Sequence, residues 1–80
     1  MAAFRARFLA RCRDELEVFR SGADGELRAA SHRLAGMAGT VGYPQLSTLA
    51  QRLDEQLSEG KPADPADRAA LVTAIEALIG

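Results

Sequence analysis

The chain has a single histidine, His32, in a segment of small residues that runs to Gly42. An imidazole can serve as a nucleophile, a general base or a metal ligand. Residues three or four positions apart share a helix face, so those that share the face of His32 are Arg28, Ala29, Ala35, Gly36 and Gly39. Each helical glycine costs about 1 kcal/mol relative to alanine. We therefore expect these two glycines to admit another backbone, and their place on the histidine face favours a partner protein.

The other side chains that could carry chemistry give weaker evidence for a functional site. Cys12 falls on an apolar helical stripe, so we expect a small buried side chain rather than a nucleophile. One histidine and one cysteine on different helices do not form a ligand set, so no metal site is predicted. Ser31 is adjacent to His32 and points to another side of the helix, which leaves no Ser-His-Asp constellation. The sequence also has no Gly-x-x-x-x-Gly-Lys phosphate loop.

Four segments must position these residues, and all have the apolar periodicity of amphipathic helices. We expect helices over about residues 3–20, 24–41 and 44–58, and from residue 65 onward. Asp24 and Asp64 are the predicted N-caps. Gly22 and Gly42 are the predicted ends of the first and second helices, Gly22 as a left-handed cap.

Each predicted helix has an apolar stripe that is expected to face the core. The stripes are Phe4, Phe8, Cys12, Leu16 and Phe19; Leu27, Leu34, Ala38 and Val41; Leu46, Leu49, Leu53 and Leu57; and Leu71, Val72, Ile75, Leu78 and Ile79. Short loops favour antiparallel neighbours, so the predicted fold is all-α, an antiparallel up-down-up-down four-helix bundle forming a single domain over residues 1–80.

The composition narrows the function further. The chain is 48% hydrophobic and 26% charged, which is typical of a globular domain. Its ten basic and eleven acidic residues give a formal net charge of −1, which argues against a nucleic-acid binder. One cysteine cannot form an internal disulfide, no run approaches the roughly 18 apolar residues of a membrane span, and no secretory signal is evident. These features favour a cytoplasmic setting and a surface site rather than a deep pocket.

The segment from His32 to Gly42 resembles the motif of histidine phosphotransfer (Hpt) domains of two-component phosphorelays. In that motif an aliphatic residue, a lysine and a glycine follow the histidine at the second, third and fourth positions, and another glycine follows at the tenth. His32, Leu34, Gly36 and Gly42 match it. The resemblance extends over about residues 4–57, and it implies a helical bundle with His32 as the phosphoacceptor.

The lysine of the motif is replaced here by Ala35. In the family that lysine helps to hold the phosphoryl oxygens. Arg28 lies one turn before His32 and Arg33 is adjacent to it, and a guanidinium group suits phosphate geometry. Because Arg28 shares the face of the histidine, it is the better candidate to replace the lysine.

The third predicted helix offers a second contribution to the site. If it packs antiparallel to the second, the flank formed by Gln51, Asp54 and Ser58 approaches His32. Members of the family often place a glutamine or glutamate about twenty-two positions after the histidine, and this position is Asp54. A carboxylate that accepts from Nδ1–H would set the tautomer and leave Nε2 as the nucleophile. Gln51 is expected to support the same site.

The predicted function is the relay of a phosphoryl group between His32 and receiver-domain aspartates, by a phosphocarrier without kinase activity of its own. The expected partners are response-regulator receiver domains and a histidine kinase, with no nucleic acid or membrane, and the expected state is a monomer or weak dimer. The chain itself would need no cofactor, since Mg²⁺ is expected on the receiver. The predicted partner face comprises Ala29, Arg33, Ala35, Gly36 and Gly39.

Two alternative functions remain. The first is an Hpt-like docking or adaptor domain that binds a receiver or kinase without being phosphorylated, and the missing lysine favours it. The second is a structural bundle without a partner on this face.

Overall fold

The computed structural model describes residues 2–80, and within that range the chain is helical with no strand. The four helices are α1 (Ala2–Ser21), α2 (Asp24–Val41), α3 (Pro44–Ser58) and α4 (Pro65–Ile79). The prediction of an all-α fold with four helices is therefore confirmed. None of these helices is long and apolar enough to cross a membrane.

The ends of the helices follow from local capping. The side chain of Asp64 accepts hydrogen bonds from the amides of Ala66 and Asp67 at 2.8 and 3.3 Å, as a predicted N-cap should. Gly42 ends α2 in the left-handed region at φ 95°, and its amide donates to the carbonyl of Ala38. Both predictions are confirmed, and Gly42 sets the sharp turn into α3.

Two predictions about the turn between α1 and α2 were wrong. The N-cap of α2 is Ala23, which makes no side-chain cap, while Asp24 already lies in the first helical turn. Its carboxylate still suits the positive end of the helix dipole there. Gly22 does not adopt a positive φ; it is needed because a Cβ at that position would lie 2.7 Å from the carbonyl oxygen of Val18.

The helices pack as a ring in which α1 contacts α2 and α4, and α3 contacts the same two helices. The largest fully buried side chains include Phe8 and Phe19 of α1, Leu27 of α2, Leu53 of α3, and Leu71 and Ile75 of α4. Cys12 is buried among them, as predicted. α2 and α3 form the most extensive helix pair, and this pair carries the residues around His32.

Phe4 departs from its predicted place in the core, since 62% of its surface is exposed. It lies in the first turn of α1 and borders a surface groove beside Thr40 and Val41 at the end of α2. The core stripe of α1 therefore begins one turn later, at Phe8. The ring of Phe8 stacks on Tyr43 with centroids 5.6 Å apart, which fixes α1 against the turn between α2 and α3.

Candidate functional site

His32 lies in the middle of α2 and presents its ring to solvent, with 77% of the side chain exposed. Its Nδ1 is 2.9 Å from Oδ2 of Asp54 on α3, whose side chain is only 20% exposed. A carboxylate oxygen only accepts, so Nδ1 carries the proton in this hydrogen bond. The other ring nitrogen, Nε2, then has a free lone pair. The site is an imidazole held at one nitrogen and available for reaction at the other.

Two further side chains extend the contact between α2 and α3. Ser58 donates from Oγ to Oδ1 of Asp54 at 3.3 Å. Arg28 donates from Nε to the same Oγ at 3.0 Å. Arg28 therefore contacts the end of α3 through Ser58. This serine was predicted to lie on the same flank of α3 as Asp54.

Gln51 lies in a different cluster. Its Nε2 donates to Oγ of Ser47 at 3.4 Å, and Ser47 donates to the carbonyl of Ala35 at 2.7 Å. Gln51 lies nearer the start of α3 than Asp54 does, and Ala35 lies further along α2 than His32. Asp54 contacts the imidazole, whereas Gln51 lies nearer to Ala35.

The residues expected to form a partner face have different surroundings. A Cβ at Gly36 would meet nothing within 4 Å, whereas one at Gly39 would lie 3.7 Å from Oγ of Ser47. Gly36 is thus fully open, and Gly39 lies beside α3. Arg33 is exposed but turned toward α1, where its Nη2 donates to Glu15 at 2.7 Å. Ala29 is exposed and Ala35 is half-buried.

An open groove beside His32 was missed by the sequence analysis. It has a volume of about 630 Å³ and is lined by Phe4, Arg7, Arg11, His32, Arg33, Gly36, Met37, Thr40 and Val41. The first three belong to α1, and their spacing places them on one helix face. That spacing, with an aromatic residue among arginines, was a signal available in the sequence.

A family model described as Hpt domain matches residues 3–80. The chain belongs to the Hpt domain family. The comparisons with curated proteins and with solved structures returned no match. Membership implies phosphotransfer in two-component signalling by a carrier module rather than an enzyme. Hpt domains interact with receiver domains and histidine kinases in phosphorelays.

The buried surroundings of the site in this Hpt domain contain one unusual group. Ser31 is fully buried beside His32, and within residues 2–80 its hydroxyl has no hydrogen-bond partner. The same residues contain no cluster of three histidine, cysteine or acidic side chains that could hold a metal ion. The groups available for chemistry at this face are thus His32, the side chains hydrogen-bonded around it and the groove arginines.

Proposed function

We propose that His32 is the phosphoacceptor of a phosphorelay and exchanges a phosphoryl group with an aspartate of a receiver domain. The observation that carries this proposal is the exposed imidazole whose Nδ1 is held 2.9 Å from Asp54. Nε2 forms the new nitrogen–phosphorus bond while the bond from phosphorus to the aspartyl oxygen breaks. The receiver recovers its carboxylate, and the Nδ1 proton stays in the hydrogen bond to Asp54.

Positioning accounts for most of what this chain contributes to that step. Phosphoryl transfer depends mainly on alignment and on charge stabilisation. Asp54 keeps the proton on Nδ1 and stabilises the positive charge that develops on the ring as Nε2 reacts. The receiver would bring Mg²⁺ and the aspartate, so an exposed helix face without a pocket for ATP is sufficient.

The receiver is proposed to dock on the face around His32. The open surface at Gly36 supports this, because a larger side chain there would stand between the imidazole and an approaching backbone. The groove formed with Phe4 and Arg7 extends the same face onto α1. An apolar side chain surrounded by cations suits a partner surface with an apolar spot and acidic residues near it.

The helix order is proposed to be up-down-up-down and antiparallel. The contacts Arg28–Ser58, His32–Asp54 and Ala35–Ser47 support this for α2 and α3, because one number rises as the other falls. Arg68, at the start of α4, bonds carbonyls at the end of α1, which supports the same orientation for that pair. We also propose a cytoplasmic location, supported by a single cysteine that has no disulfide partner.

The test is transfer of radiolabel from a phosphorylated receiver domain to the whole chain. We expect label on the wild type and none on His32→Gln, with unchanged circular dichroism in the variant. A phosphoramidate is labile to acid and stable to base, so the label should be lost in acid. Label that survives acid, or that persists in His32→Gln, would contradict the proposal.

Ala35 favours a second candidate function, a docking domain that binds a receiver or kinase without relaying phosphate. The variant Ala35→Lys separates the two. A carrier short of a phosphoryl-binding cation should transfer faster with the lysine, by about tenfold if one charge-assisted hydrogen bond is gained. If neither the wild type nor Ala35→Lys accepts phosphate while both bind a receiver, the docking function is correct.

A further inference from the structure

A chain of three hydrogen bonds leads from Arg28 to the imidazole. The Nε–H of an arginine can only donate, so the hydroxyl oxygen of Ser58 must accept from it. That leaves the single hydroxyl proton of Ser58 to donate to Oδ1 of Asp54, at 3.3 Å. The other carboxylate oxygen, Oδ2, receives Nδ1–H of His32. Each donor therefore has an acceptor, and the hydrogen bonds from Ser58 and from His32 converge on the two oxygens of the Asp54 carboxylate.

The orientation of the His32 ring depends on these hydrogen bonds because little else holds the ring in place. With 77% of its side chain exposed, the imidazole has little packing to fix its rotamer. Its orientation therefore rests on the bond to Asp54, and that bond requires the carboxylate plane to present Oδ2 toward α2. The hydrogen bond from Ser58 to Oδ1 restricts rotation of the carboxylate. Groups behind a first hydrogen-bond partner commonly set orientation in this way.

We propose that Ser58 and Arg28 are positioning residues that hold His32 through Asp54. The proposal rests on the proposed function, since the nitrogen being positioned is the reactive Nε2. It assigns Arg28 a different role from the one its place on the histidine face suggested. Its Nε bonds across to α3, so Arg28 orients the acceptor through the Ser58 hydroxyl rather than by contact with the phosphoryl group.

The first experiment measures the tautomer of His32 by ¹⁵N NMR of the labelled whole chain, at a pH where the imidazole is neutral. Ser58→Ala should lower the fraction protonated at Nδ1 at least about twofold, because Asp54 is then free to turn. Ser58→Thr keeps the hydroxyl and should match the wild type. Thr48→Ala is the matched control: this exposed hydroxyl of α3 donates to the carbonyl of Pro44 in its own helix, and its loss should change nothing.

The second experiment is a double-variant cycle on transfer from a phosphorylated receiver. Ser58→Ala and Arg28→Gln should each slow transfer about three- to tenfold, the range expected for one lost hydrogen bond. Because both act through the same contact, the combined variant should be no slower than Ser58→Ala alone. Circular dichroism confirms that each variant is folded.

Three results would overturn the proposal. The first is an unchanged tautomer fraction in Ser58→Ala. The second is a Ser58→Thr variant that behaves like Ser58→Ala although it retains a hydroxyl. The third is an Arg28→Gln effect that persists undiminished in the Ser58→Ala background, which would indicate direct contact with the phosphoryl group. The NMR experiment uses no phosphate, so a wild type that accepts no label would refute the proposed function and leave the positioning role open to its own test.

Discussion

Two buried serines, Ser31 and Ser47, differ in whether their hydroxyl forms a hydrogen bond. Ser47 donates to the carbonyl of Ala35 at 2.7 Å, whereas Ser31 has no partner within the described residues. A buried hydroxyl without a hydrogen bond is destabilising, and alanine is the better helix former. Ser31→Ala should therefore raise the free energy of unfolding by about 1 kcal/mol.

Ser47→Ala is the control for this prediction, because it also removes a buried hydroxyl but breaks a hydrogen bond. Its stability should fall below that of Ser31→Ala by at least about 1 kcal/mol, measured by urea unfolding. Equal stabilities for the two variants would show that the hydroxyl of Ser31 is satisfied in solution.

Cys12 gives the residue-scale prediction on pH. Burial, and secondarily the charge of Glu15, raise the pKa of its thiol from 9.0 to about 11. The thiol loses its proton at lower pH in the unfolded chain than in the folded one. The stability that the neutral Cys12 thiol contributes is therefore fully present below pH 9 and is lost as the pH rises toward 11. The loss should reach about 2–3 kcal/mol. Denaturant unfolding across this range should show a steeper decline for the wild type than for Cys12→Ala, and parallel curves would contradict the prediction.

At the scale of elements, the side chain of Arg68 links the start of α4 to the end of α1. Arg68 of α4 donates to the carbonyls of Val18, Phe19 and Gly22 at 3.0, 2.7 and 2.9 Å. The last carbonyls of a helix have no partner within it, and a cation there also suits the helix dipole. Arg68 thus terminates α1 and fixes α4 against it.

Arg68→Ala should lower the free energy of unfolding by about 1.5–3 kcal/mol, with a matching fall in Tm. Arg52→Ala is the control, since its ion pair with Asp67 is long, at 3.9 Å, and exposed. Such a pair contributes little, so this variant should stay within about 0.5 kcal/mol of the wild type. Arg68→Ala melting at the same temperature as Arg52→Ala would show that α1 needs no such cap.

At the scale of the whole molecule, a net charge of −1 conceals an uneven distribution. The first thirteen residues contain four arginines and no acidic residue. Two of these, Arg7 and Arg11, line the groove beside His32. The face proposed for the receiver is therefore basic on its α1 side, and an acidic partner surface would be attracted to it.

Arg7→Glu should weaken receiver binding about three- to tenfold at low ionic strength, with most of the effect lost near about 0.5 M salt. Arg13→Glu makes the same charge change on α1 outside the groove and should have a smaller effect. Titration calorimetry at two salt concentrations measures both. If the two variants weaken binding equally, only net charge matters and the groove is not the docking face.

Several features of the fold could be predicted because their causes are local. Apolar spacing within one helix indicated where each of the four begins and ends, and Asp64 and Gly42 carry signals that act over a few residues. The assignment of Asp24 as a cap failed because an aspartate serves equally well one position later, in the first turn. The helix begins after Ala23, whose backbone is extended, and an alanine gives no sequence signal for that conformation.

The sequence by itself determined that His32 stands on a helix face among small residues, since that depends only on helical spacing. The family resemblance already placed Asp54 opposite the imidazole, but tertiary structure alone decided that Gln51 contacts Ser47 instead, that Ser58 and Arg28 are hydrogen-bonded behind Asp54, and that Phe4 lies outside the core. The physical reason is that the rotation of a helix about its axis is set by packing against other helices. Ala50 and Leu53 of α3 are buried against side chains distant in the sequence, and those contacts choose which flank of α3 faces α2.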